Sequence, residues 1–240
     1  MVGTALIEVK EVTKKFHGIV AVGGVSFSVP TGSIWGLIGP NGAGKSTLLN
    51  VINGIYEADG GEVFFKGRSL RDKKVFDIAQ MGISRTFQIA HVFRRMSVYD
   101  NMLAPTIFLK EKDSVVRERI DYLLEFVGLT EKRSQYAYEL SGGQQKLLEF
   151  ARALVTDPSV LLMDEPFAGV HPEIKAQLLG NIRELNGQGK TIVLVSHDMR
   201  SVSGLCQQVT VLNFGEKLAE GPPEKVLNDR KVIEAYLGEE

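Results

Sequence analysis

Cysteine is almost absent. Cys206 is the only one among 240 residues, so no disulfide framework can staple the fold, and no Cys/His cluster offers four closely spaced zinc ligands. The fold is expected to rest on packing and to sit in a reducing cytosol. Long apolar runs are also missing. No stretch approaches the roughly 18 to 20 residues that cross a bilayer, and Ala5–Glu11 lacks the basic start and apolar core of a signal peptide. The chain is not expected to span a membrane by itself. The third absence is an excess of either charge. With 28 Lys plus Arg against 29 Asp plus Glu, there is no electrostatic surplus for general nucleic-acid binding, and no nucleic-acid partner is expected. What remains is an ordinary globular composition, 44% hydrophobic and 24% charged, suited to one compact unit or two unequal lobes. Glycine, with 25 residues, lies slightly above its usual share of about 7%.

Period-two alternation over Ile7–Val12 and Val25–Val29 predicts strands, with Pro30-Thr31-Gly32 as a turn. The segments Ile34–Ile38, Val160–Met163 and Thr191–Val195 are almost wholly apolar, as in strands covered on both faces of a parallel sheet. Glu62–Phe65 and Gly82–Phe87 add further strands, Ser46–Ile52 reads as the start of a helix, and the alternation of types gives an α/β domain. From about Ala90 to Ala153 the pattern changes: Val115, Ile120, Leu123, Leu124 and Val127 recur at helical spacing without a convincing strand. This segment is either a helical subdomain or a set of crossover helices on the same sheet. Pro222–Leu237 reads as two short closing helices.

The strongest signal is Gly39-Pro40-Asn41-Gly42-Ala43-Gly44-Lys45-Ser46-Thr47, a phosphate-loop pattern placed between a strand and a helix. Side-chain-free loop residues let successive backbone N–H groups face phosphate oxygens, and the following helix adds its positive end. Lys45 is then expected to reach the outer phosphates of a nucleotide, and Ser46 to ligate Mg²⁺. Asp164 and Glu165 follow a buried strand and arrive at its C-terminal end, where ligands of open α/β sheets bind. Asp164 is expected to support the metal through water and Glu165 to polarise an attacking water.

Leu140-Ser141-Gly142-Gly143-Gln144, taken with the phosphate loop and the Asp164-Glu165 strand, resembles the signature of ATP-binding-cassette ATPases over essentially the whole chain. Read alone, Ser141 is a helix N-cap and the glycines leave amides open to an anion. The resemblance implies a RecA-like α/β core with an N-terminal antiparallel β region (residues 1–89 and 155–240) and a helical signature subdomain (90–154). It also implies ATP and Mg²⁺ as ligands, and a head-to-tail dimer in which Ser141, Gly142, Gly143 and Gln144 contact the ATP held by a second ATPase subunit, identical or related. Gln88 resembles the family's Mg²⁺-ligating glutamine and His197 its γ-phosphate-contacting histidine, so the implied catalytic set is Lys45, Glu165 and His197. Phe16 lies where the family carries an adenine-stacking aromatic, or is a core aromatic after a strand. His171 departs from the family's usual Asp, which leaves open whether that position couples two ATP sites or is a solvated loop residue. Trp35 and Cys206 are expected to pack, and His17 and His91 carry no readable role.

Without membrane segments, such a cassette must borrow a pathway from transmembrane permease subunits, at the cytoplasmic face of the inner membrane. The implied docking surface is Gln88–Leu103, including His91, Val92, Phe93, Arg94, Met96 and Tyr99, unless Val92, Phe93 and Met96 are subdomain core. Gly82–Gln88, Ser196–Met199 and Ala235–Gly238 look like ATPases of branched-chain amino-acid importers and their amide relatives, which work with a solute-binding protein. Phe93–Asn101 and Glu165–Val170 look like the ATPase of lipopolysaccharide export. A non-transport soluble ATPase is the alternative of a different class.

Overall fold

The computed structural model describes residues 5–237, which two β-sheets organise. The chain opens with two 12-residue strands, β1 (Ala5–Phe16) and β2 (Ile19–Pro30). His17 and Gly18 turn between them at φ 47° and 88°, the left-handed pair that matches a two-residue hairpin to the strands' twist. Period-two alternation marks only the middles of these strands, because register shifts interrupt the pairing repeatedly along its length. After β3 (Ile34–Ile38) and α1 (Lys45–Ile52) come β4 (Gly60–Phe65) and β5 (Arg68–Ser69), which complete an antiparallel sheet in the order β2-β1-β4-β5.

The remaining elements are α2 (Val75–Met81), β6 (Ile83–Thr86), α3 (Val98–Leu103), α4 (Asp113–Phe126), α5 (Gly142–Leu154), β7 (Val160–Asp164) and α6 (Pro172–Gly187). They are followed by β8 (Thr191–Val195), α7 (Met199–Leu205), β9 (Gln208–Asn213), β10 (Glu216–Gly221), α8 (Pro223–Val226) and α9 (Arg230–Leu237). The second sheet runs β10-β9-β3-β8-β7-β6 and is parallel except for β10. The sequence pattern did not single out β9 and β10; their hairpin turns on Phe214 and Gly215, both at positive φ. Gly238, the last residue of the importer-like ending, lies outside the described residues.

The apolar central strands serve two cores at once. Trp35, Leu37, Leu162, Val193 and Val195 face the antiparallel sheet and α1, while Ile34, Ile38, Leu161, Met163, Ile192 and Leu194 face the helices. Alternate residues thus point to opposite apolar layers, which explains continuous hydrophobic runs where a one-sided sheet would alternate. Gly36 is the exception inside β3: a Cβ there would lie 2.7 Å from Val209 Cγ1 and 3.1 Å from Cys206 Sγ. The lone thiol is therefore a packing group, and burial pushes its pKa up to about 12.

Between β6 and β7, α3 to α5 and short 3₁₀ turns carry the chain, with one isolated bridge between Ser97 and Tyr136. Met102, Ile120, Leu124 and Leu148 share one apolar cluster with the helix-facing side of the central sheet. Position 115 differs from expectation: Val115 is exposed, and its neighbour Val116 faces inward with Ile120, Leu123, Leu124 and Val127. Helix α4 begins at Asp113, and a 3.6-residue period from 120 reaches 116 more closely than 115.

Candidate active site

Strands β7, β8 and β3 lie side by side, so the loops leaving their C-terminal ends converge. The loop after β3 needs its glycines: Gly39, Gly42 and Gly44 have φ 145°, 74° and 96°. A Cβ on Gly39 would sit 2.1 Å from Leu212 O, and one on Gly44 would sit 2.3 Å from Ala21 O. The loop is thus wedged between the β9–β10 hairpin and β2, where only glycine backbone fits. Buried Lys45, the first residue of α1, donates its Nζ to the carbonyl oxygens of Gly39 (2.7 Å) and Pro40 (2.6 Å), curling the loop around its own ammonium.

Below the loop, Ser46 Oγ donates to Asp164 Oδ1 at 3.2 Å. The other carboxylate oxygen, Oδ2, accepts from Arg85 at 2.8 Å, with both side chains about nineteen-twentieths buried. Arg85, from β6, also donates to Asn50 Oδ1 and lies 4.9 Å over the Phe87 ring. Burial lowers its pKa, against which the Asp164 charge and hydrogen bond pull upward. This arrangement holds one carboxylate at the foot of the phosphate loop. Glu165, one residue on, has φ 48°, a left-handed turn that a non-glycine residue adopts at a cost. Its N–H donates to Val195 O (2.9 Å), and its side chain swings toward the loop after β8, where His197 Nδ1 stands 2.9 Å from Oε2. The left-handed turn therefore gives the two adjacent acids different partners.

The loop, Glu165 and His197 open onto one cavity of about 580 Å³, walled by residues 39–47 with Gln88, Glu165, His197 and Tyr236, while Asp164 and Arg85 are not part of its lining. Lys45, Ser46, Gln88, Glu165 and His197 thus meet from separate segments of the chain. Ser141, Gly142, Gly143 and Gln144 do not line this cavity. They form the N-terminus of α5, where Ser141 Oγ accepts from Gln144 N–H (3.3 Å) and Gln144 Oε1 accepts from Ser141 N–H (3.1 Å). Ser141 and Gly142 are exposed. Phe16 also lies outside the cavity lining and packs edge-on against Tyr56 at 5.1 Å. His171 occupies the N-cap position of α6 without a side-chain capping bond and is largely exposed, its Nδ1 3.8 Å from Glu173.

Three residues near this site had no individual signal in the sequence. Arg85 lies within a run that reads as an ordinary strand. Tyr236 comes from the C-terminal helix, almost two hundred residues from the phosphate loop. Lys146 of α5 donates to the backbone oxygens of Glu165 (3.3 Å) and Ala168 (2.6 Å), and burial lowers its pKa. Contacts of a side chain with distant backbone leave no trace in local spacing.

The surface expected over Gln88–Leu103 divides. Ile89 and Phe93 are exposed; Val92 and Tyr99 pack against the core; His91, Arg94 and Arg95 are exposed and Met96 is half-buried. Buried Asn101 braces this stretch by accepting from Phe93 N–H (2.8 Å) and donating to Phe93 O (3.0 Å) and Ser97 O (2.9 Å). Beyond the expected segment, Phe76 of α2 meets Phe108 edge-on at 4.8 Å, and both are exposed beside Val75 and Ile107.

Comparison with known proteins agrees with this architecture. Residues 22–168 match the family model described as ABC transporter, and residues 216–240 match that described as branched-chain amino acid ATP-binding cassette transporter. The chain is 39% identical to a probable branched-chain amino acid transport ATP-binding protein, LivG, of Archaeoglobus fulgidus, over 97% of this chain and 95% of the relative. It is 37% identical to the high-affinity branched-chain amino acid transport ATP-binding protein LivG of Escherichia coli, over 98% of both. Among solved structures, the ADP conformation of an ATP-binding cassette of an ABC transporter superposes with TM-score 0.90 at 35% identity, covering 98% of this chain and 99% of that one. A nucleotide-free cassette gives TM-score 0.87 at 33% identity, covering 97% and 99%.

Proposed function

The chain belongs to the ATP-binding-cassette family of transporter ATPases, and we propose that it powers the import of branched-chain amino acids or related amides. The observation that carries this reading is the meeting of Lys45, Ser46, Gln88, Glu165 and His197 around one cavity, in a chain whose relatives are named for that transport. The match over residues 216–240 favours the importer over the lipopolysaccharide-export alternative.

ATP binds with its phosphates in the loop 39–47, and Lys45 exchanges the carbonyl oxygens of Gly39 and Pro40 for phosphate oxygens. Ser46 Oγ, the Gln88 amide oxygen and, through water, Asp164 are hard oxygen donors that suit Mg²⁺. When bound, Mg²⁺ neutralises charge on the phosphates. Glu165 polarises the attacking water, and His197 holds that carboxylate and contacts the γ-phosphate. Phe16 is retained as an adenine contact reached when nucleotide bridges the loop and the β1–β2 hairpin.

The Ser141–Gln144 turn, exposed at Ser141 and Gly142, meets the ATP of a second ATPase subunit, closing two nucleotides in a head-to-tail dimer. No helix among the described residues is long and apolar enough to cross a membrane. Permease subunits supply the path, seated over Phe76, Ile89, Phe93 and Phe108, with the chain peripheral at the cytoplasmic face and a solute-binding protein delivering cargo outside. The test is ATP-driven uptake of labelled leucine, isoleucine and valine by vesicles containing the chain with its permeases and binding protein. The Glu165→Gln variant should abolish uptake and accumulate as an ATP-bound dimer on gel filtration, with hydrolysis reduced by about 10²- to 10⁴-fold. ATP turnover without uptake of any of the three would sink the cargo assignment, and wild-type turnover by Glu165→Gln would sink the catalytic one.

A further inference from the structure

Helix α5 touches several parts of the site at once. Its first turn is the Ser141–Gln144 segment, exposed at Ser141 and Gly142. Lys146, Glu149 and Arg152 follow at three-residue spacing, and side chains so spaced share one helix face. Lys146 grips the backbone oxygens of Glu165 and Ala168. Glu149, only 3% exposed, accepts from His91 N–H at 2.9 Å through one carboxylate oxygen and from Phe87 N–H at 3.4 Å through the other. Arg152 donates to His91 O and lies 5.1 Å over the Phe93 ring. The backbone on both sides of Gln88 is therefore strapped to α5, while Gln88 itself is exposed and faces the nucleotide cavity.

We propose that Glu149 is a positioning residue for Gln88: its two carboxylate oxygens fix the loop on either side of that side chain, and so tie the signature end of α5 to the metal side of the site. The inference rests on the nucleotide reading above. From Gly142 to Glu149 the helix rises about 10 Å, a rigid lever with one end toward the partner's ATP and the other on the Gln88 loop. A buried carboxylate is costly to keep. Burial raises the pKa of Glu149, against the pull of the His91 and Phe87 amides and the Arg152 charge; Lys146, Arg85 and His91 are the other titratable groups around it. A group held only for packing would be better served by an apolar side chain. Two convergent amide donors, one toward each oxygen, need a carboxylate. A glutamine in place of Glu149 would offer a single acceptor oxygen and would set its NH₂ against an N–H.

The experiment measures ATPase activity of the purified chain against Mg²⁺ concentration, with ATP affinity without Mg²⁺ and melting temperature measured in parallel. Glu149→Gln should raise the Mg²⁺ concentration for half-maximal activity by roughly ten-fold or more, about the effect of losing one hydrogen bond to a charged group, while Mg²⁺-free ATP affinity stays constant. A lost packing contact would lower the melting temperature without moving Mg²⁺ half-saturation. Arg152→Met, which releases the His91 carbonyl, should shift it the same way by less and serves if Glu149→Gln folds poorly. Gln88→Ala should produce the shift alone, and adding Glu149→Gln to it should add nothing. If Gln88→Ala moves the Mg²⁺ requirement but neither α5 variant does, the strap is overturned and the nucleotide reading stands. If Gln88→Ala leaves it unmoved, the metal role of Gln88 fails and the inference falls with it.

Discussion

Removing the guanidinium of Arg85 tests the foundation of the site directly. Arg85 and Asp164 are paired at 2.8 Å with their side chains only 5% and 6% exposed, and the remaining Asp164 contact is the 3.2 Å bond from Ser46. Arg85→Met keeps the aliphatic bulk but leaves Asp164 buried with a hydroxyl alone. Deleting one partner of a buried ion pair costs about 3 to 5 kcal/mol, because the surviving charge is uncompensated. In a domain of this size each kcal/mol shifts the midpoint by about 2 to 4 °C, so thermal denaturation without nucleotide should show a fall of roughly 6 to 20 °C. The companion variant Asp164→Asn removes the charge that made the deletion costly. The double variant should therefore recover much of the loss, with a coupling free energy within the range of about 0.5 to 3 kcal/mol measured for contacting residues. A midpoint shift under about 2 °C for Arg85→Met, or single losses that simply add, would refute the buried pair as the anchor of Asp164.

Two further outcomes follow from particular contacts. Gly44→Ala forces a Cβ to within 2.3 Å of Ala21 O at φ 96°, a left-handed penalty of about 1 to 2 kcal/mol before any clash with the hairpin backbone. ATP titration should show at least about a tenfold loss; Gly42→Ala carries a similar left-handed penalty at φ 74° but has no atom within 4 Å of its added Cβ, so it should lose less, and equal losses would contradict the wedged loop. The second concerns pH. Because the folded-state pKa of Glu149 is raised by burial, its favourable contribution is present below the ordinary carboxylate value of about 4.3 and is lost as pH rises through the folded value. The melting temperature of Glu149→Gln relative to wild type should therefore climb as pH rises across that window, and a difference that falls with pH would reverse the assignment.

How much of this the sequence contained depends on how local each cause is. The phosphate loop, β3, β7 and β8 were legible because their glycine spacing and two-sided burial are written in consecutive residues. The β1–β2 hairpin was half visible: its alternating middles stood out, but the His17-Gly18 turn and the irregular ends did not follow a simple period. β10 escaped because its half-buried residues mix with charged ones, and β9 because polar Thr210 interrupts its apolar run and Gln208 and Asn213 flank it, while their turn is an unusual Phe-Gly pair. Val115 stands beside Val116, and only the 3.6-residue period counted back from Ile120 separates the exposed valine from the inward-facing one. Arg85, Lys146 and Tyr236 could not be singled out, since each acts through contacts with segments distant along the chain. Phe16 shows the converse. Its family position is readable, yet in this structure its ring meets Tyr56 and not the cavity wall.

The reach of α9 into the site bears on how the protein is handled at the bench. Tyr236 helps wall the cavity of about 580 Å³, and Lys231, Glu234 and Ala235 border a second cavity that shares residues 40–43 with it. An affinity tag or fluorescent fusion joined after residue 240 would thus start a few residues in sequence from Tyr236 in the wall of that cavity. Binding constants gathered on such a fusion would include whatever the appended sequence does to α9, while a label placed before residue 1 stands a few residues in sequence from β1 of the antiparallel sheet.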